Sequence, residues 1–64
     1  EESAAEFRAA IGIDPGLVKA HTGLGEALLA LGMKREAASE FEAAISLDAR
    51  DERAARGLAK AMAF

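Results

Sequence analysis

Apolar residues recur at steps of three and four along almost the whole chain, which is the period of an amphipathic helix and not the alternation of a strand. Over residues about 2–13, Ala4, Phe7, Ala10 and Ile11 fall on one face. The run Asp14-Pro15-Gly16 closes that segment, because proline disfavours helical backbone at the residue before it. A second stripe, Leu17, His21, Leu24, Leu28 and Leu31, predicts a helix over about 17–31. Gly32 stops it where a left-handed cap is wanted, with Lys34 and Arg35 near its negative end. A third helix, about 34–47, carries Ala37, Ala38, Phe41, Ala44 and Ile45. The fourth, about 51–63, carries Ala54, Ala55, Leu58, Ala61 and Met62, and opens on Asp51 and Glu52, where the helix dipole favours acids. Links of a few residues force neighbouring helices to pack antiparallel, so the expected class is all-α.

Set against itself, the chain aligns at an offset of 34 residues. Phe7 falls on Phe41, Ile11 on Ile45, Asp14 on Asp48, Gly23 on Gly57 and Leu24 on Leu58. In all, 12 of 30 aligned pairs are identical, and these five matches do not come from alanine richness. The first helix therefore repeats the third and the fourth repeats the second. The chain reads as half a unit, a whole unit and half a unit.

Within the central unit stand Leu24-Gly25 with Leu28 after it, then Ala37-x3-Phe41, with Ala49 near its end and His21 near its start. The first half-unit gives Ser3-x3-Phe7 and Ile13-Asp14-Pro15, and the last gives Ala55, Leu58-Ala59 and Met62. This resembles the tetratricopeptide repeat, whose 34-residue unit runs W-x2-L-G-x2-Y, then A-x3-F, then P. His21 and Ala55 depart from its tryptophan and Ala49 from its second proline. The resemblance implies antiparallel helix hairpins stacked as a short right-handed superhelix. Residues 1–64 are then one helical-repeat domain, expected to be a fragment of a longer array since the chain opens on Glu1 and starts and ends mid-repeat. Small residues at Gly25 and Ala37 let paired helices approach, Phe41 fills the space between units, and Ala44 admits the next helix.

Composition adds little to the fold and more to the exclusions. With 64 residues, no cysteine and no metal-ligand cluster, one thin core must hold without a covalent or metal staple. No apolar run reaches the ~20 residues of a membrane span, and a cytoplasmic location is the default expectation. The net charge of −3 gives no global pull on nucleic acid. It is unevenly spread: the start carries Glu1, Glu2, Glu6 and Asp14, the end Arg50, Arg53, Arg56 and Lys60.

No catalytic constellation can be assembled, so an enzyme is not expected. His21 is the only histidine, Thr22 beside it on a helix points elsewhere, and no cysteine exists. Gly23-x-Gly25 lacks the third glycine and the strand-to-helix setting of a phosphate loop. Glu36, Glu40 and Glu42 are spaced along one helix as a solvated face would be, so neither metal nor cofactor is implied.

Arg53, Arg56 and Lys60 stand at i, i+3 and i+7, which places three cations on one helical face. In tetratricopeptide arrays the first helix of each unit lines the concave groove, and the matching positions of the central unit are Lys19, Thr22 and Glu26. By resemblance the groove then holds Lys19, Arg53, Arg56 and Lys60 against the single acid Glu26, and the implied ligand is a protein or peptide segment, acidic in character. Family members that grip a terminal carboxylate use lysines and asparagines there. Thr22, Glu26 and Gly57 occupy three of those positions, so that clamp is not implied. An RNA ligand is disfavoured because no aromatic interleaves the cations apart from Phe64. The alternative reading is a scaffold or self-assembly unit whose acidic first helix meets the basic last helix of another copy head to tail.

Overall fold

A computed structural model describes residues 3–63. It contains four helices, α1 (Ala4–Ile13), α2 (Val18–Ala30), α3 (Lys34–Leu47) and α4 (Glu52–Met62), and no strand among the described residues. Glu1, Glu2 and Phe64 lie outside them. The termini of the helices follow from capping chemistry. The Ser3 hydroxyl accepts from the Glu6 N–H at 3.5 Å while the Glu6 carboxylate accepts from the Ser3 N–H at 2.9 Å. This reciprocal box satisfies two backbone donors and starts α1 at Ala4, two residues later than periodicity alone suggests. α2 ends on Gly32 at φ +80°, a conformation open to glycine because it lacks Cβ. There the Met33 N–H reaches the Leu28 carbonyl at 2.9 Å and the Gly32 N–H reaches Leu29 at 3.0 Å, the paired bonds of a Schellman cap.

The two interunit turns are built alike. Asp14 Oδ1 accepts from the Gly16 N–H at 3.1 Å, and Asp48 Oδ1 accepts from the Arg50 N–H at 3.0 Å. An aspartate side chain that bonds the backbone two residues on makes its own turn. The repeated aspartate, present in both turns, holds the second one where Ala49 replaces the proline.

α2 sits at the centre and packs against each of the other three helices. The core joins Leu24 and Leu28 of α2, Ala37, Phe41 and Ala44 of α3, and Ala54 and Ala61 of α4. Phe41 and Leu28 are its largest fully buried side chains. The Phe41 ring lies against two glycines. A Cβ at Gly25 would sit 2.7 Å from it, and one at Gly57 would overlap it outright. Phe7 bears on Gly23 in the same way, one period earlier. Phe7 is only half-buried, because among the described residues nothing stands against it as Gly25 stands against Phe41. The Gly23 and Gly57 identity is thus a steric requirement imposed by a ring.

His21, on the apolar stripe of α2, is held by polar partners. Nδ1 stands 2.8 Å from Glu40 Oε1 and Nε2 stands 2.7 Å from the Pro15 carbonyl. Both partners are acceptors, so the ring makes both bonds only when each nitrogen carries a proton. Burial opposes that charge, but the Glu40 hydrogen bond, the Pro15 carbonyl and the Glu40 charge together outweigh it and raise the pKa above 6.5. Glu40 is accordingly no part of a freely solvated acidic face; it ties α3 to α2 across the hairpin.

Candidate functional site: a cationic cleft between α2 and α4

α4 begins at Asp51, whose carboxylate accepts from the Ala54 N–H at 3.1 Å and so fixes the register of the helix that carries the cations. The other oxygen accepts from the Thr22 hydroxyl at 2.6 Å. The Thr22 hydrogen bond, working against burial and helped by the Ala54 and Arg53 N–H groups and the Arg53 charge, lowers the Asp51 pKa below 3.8. Thr22 itself is 2% exposed. It departs from its expected place on the groove surface: Asp51, seven residues before Leu58 and opposite α2, captures the hydroxyl and turns the residue into a brace between α2 and α4.

Of the other five residues, Glu26, Arg53, Arg56 and Lys60 line one cleft between α2 and α4, whereas Lys19 lines a separate one between α1 and α2, with Arg53 bordering both. Arg53 donates to Glu26 from both Nε, at 3.2 Å, and a terminal nitrogen, a two-point grip that raises the Arg53 pKa from its already high value. Arg56 lies 3.6 Å from Glu52 one turn back, both largely exposed, a pairing that solvent weakens. Lys19 and Lys60 are exposed and have no ion-pair partner among the described residues.

An open cleft of about 450 Å³ lies between these helices, lined by Glu26, Leu29 and Ala30 of α2, Phe41 of α3, and Arg53, Arg56, Gly57 and Lys60 of α4. Its floor is apolar and its α4 wall is cationic. A second cleft, about 310 Å³, opens between α1 and α2 and is lined by Phe7, Ala10, Leu17, Lys19, Ala20, Gly23 and Arg53. Leu29, Ala30 and Leu17 were not marked by charge spacing, since their part in these clefts depends on which neighbour each helix meets. Among the described residues no group of His, Asp or Glu is gathered to hold a metal ion, and no helix is long and apolar enough to cross a membrane.

A helix hairpin flanked by two helices that repeat its members at 34 residues defines a helical-repeat protein with open clefts between its helices. A tetratricopeptide repeat family model matches residues 1–61, and the chain belongs to that family. Its members act generally in protein–protein interactions and are typically not enzymes. No curated protein and no solved structure gives a significant match.

Proposed function

We propose that this chain is a binding module, part of a longer tetratricopeptide array, that takes up an acidic segment of a partner protein on the concave face formed by α2 and α4. The observation that carries this reading is the larger cleft, where Arg56 and Lys60 stand beside a floor of Leu29 and Ala30, with the buried Phe41 ring and Gly57 beneath it. Carboxylates of a bound segment would meet charge-assisted donors at the wall while its apolar side chains leave water at the floor. Lys19, Arg53, Arg56 and Lys60 form the cationic set, and Glu26 serves to hold Arg53 in place.

The test is fluorescence anisotropy of a labelled Asp/Leu peptide, with its Lys/Leu counterpart as control. Reversing Arg56 and Lys60 to glutamate should weaken the acidic peptide and flatten its salt dependence, because counter-charge attraction between exposed groups is screened. Equal binding of the two peptides, or an unchanged salt slope in the double variant, would refute the proposal.

A further inference from the structure

The two clefts are related by the repeat itself. Phe7, Gly23 and Lys19 of the smaller one fall on Phe41, Gly57 and Arg53 of the larger one at the 34-residue offset. Each has an aromatic ring against a glycine at its base and a cation at its edge. Arg53 borders both clefts, and its two-point bond to Glu26 makes the strip between them electrically neutral. Of the cations that line the clefts, the two without an ion-pair partner among the described residues stand on either side of that strip, Lys19 in the smaller cleft and Lys60 in the larger.

We propose that the face is a pair of half-sites and that it selects an extended segment with two apolar side chains three residues apart, each flanked on its outer side by an acid. This rests on the groove reading above and deepens it. The spacing comes from geometry. Packed helices such as α2 and α4 lie about 8–10 Å apart. A polyproline II segment rises ~3.1 Å per residue with three residues per turn, so positions i and i+3 point the same way about 9 Å apart. The two apolar residues enter the two clefts, the acids meet Lys19 and Lys60, and the residues between cross the Arg53–Glu26 strip and carry no charge.

Two fluorescein-labelled peptides of one composition decide the matter by anisotropy at low salt: Asp-Leu-Pro-Ser-Leu-Asp, with leucines at i and i+3, and Asp-Pro-Leu-Leu-Ser-Asp, with leucines adjacent. The first is expected to bind about fivefold more tightly, the upper worth of one additional exposed ion pair. Lys19→Glu should remove that advantage, and Lys60→Glu should weaken both peptides. Both substitutions fall on exposed positions and leave the core untouched. If Lys60→Glu weakens binding but Lys19→Glu does not, one cleft acts alone and the paired-site proposal is overturned while the groove reading stands. If neither variant alters binding, both fall together.

Discussion

Alanine for glycine within a helix should have opposite effects at two places in this chain, and the sign is set by one ring. Removing glycine from a helix interior stabilises by ~0.5–1 kcal/mol through backbone entropy. At Gly12, near the end of α1, an added Cβ meets nothing within 4 Å, so the gain stands alone. At Gly57 the same Cβ enters the Phe41 ring, which is 0% exposed and also lies against Gly25, so the ring must shift to admit it. Overpacking of a closed core costs about 1–3 kcal/mol, which outweighs the helix gain and gives a net loss of up to about 2 kcal/mol. A domain of 64 residues has only roughly 3–10 kcal/mol in total. Thermal melts by circular dichroism should therefore rise by about 5 °C for Gly12→Ala and fall by about 10 °C for Gly57→Ala. A cycle with Phe41→Leu isolates the cause, since the penalty of Gly57→Ala should shrink once the ring is gone. A Gly57→Ala protein as stable as the parent would show that the ring and the glycine do not bear on each other.

The same core and its polar braces lead to further expectations. Because the folded pKa of His21 is raised, its contribution to stability is complete below the unfolded value of 6.5 and is lost as pH climbs through the folded value. Asp51 works in the other direction: its depressed pKa contributes above 3.8 and is lost as pH falls. Urea midpoints should thus peak between these limits, and His21→Gln should abolish the decline on the alkaline side. Thr22→Val, which keeps the shape and removes the hydroxyl, should cost ~1–2 kcal/mol, with Thr22→Ser recovering most of it and NMR titration showing the Asp51 pKa moved back up. Ser3→Ala should cost about 1 kcal/mol and fray α1 first, visible as faster amide exchange at Phe7, whose N–H bonds the Ser3 carbonyl.

The helices were legible because each buries one stripe, and the stripe survives the conversion of large residues to alanine. All eight ends of the four helices fall within two residues of the expected ones, and seven of them within one. The start of α1 was hidden although Ser3 and Glu6 have the spacing of a capping box, because Glu2 extends the polar-apolar pattern backwards. The Asp14 and Asp48 identity was visible, whereas its purpose was not, since a side chain that folds onto its own backbone leaves no periodicity. His21 fell on the core stripe, and nothing in the spacing pairs it with Glu40, 19 residues away, because that contact depends on how α3 is rotated against α2. Cations on α4 were legible from i, i+3 and i+7 alone. That Glu26 neutralises one of them and Asp51 removes Thr22 from the surface are facts of α2 against α4, which one sequence does not encode locally.

The repeat operator also bears on self-assembly. A second copy continuing the array would set its α1 against α4 as α3 is set against α2. Each polar contact of the central unit then has a computable successor one period on. Glu26 with Arg53 becomes Lys60 with Lys19 of the next copy, a like-charge pair. Thr22 with Asp51 becomes Arg56 with Leu17, and His21 with Glu40 becomes Ala55 with Glu6, neither of which bonds. Apolar surface remains to favour the contact, Met62 on one side at 65% exposed and half-buried Phe7 on the other. The junction therefore has a hydrophobic drive and an electrostatic veto. At low salt the chain should sediment as a monomer at micromolar concentration. Lys60→Glu restores the Glu–cation pairing of the central unit and should promote concentration-dependent association, which added salt then weakens. Association of the parent chain at low salt, unaffected by Lys60→Glu, would mean that copies meet by some contact other than the repeat's own.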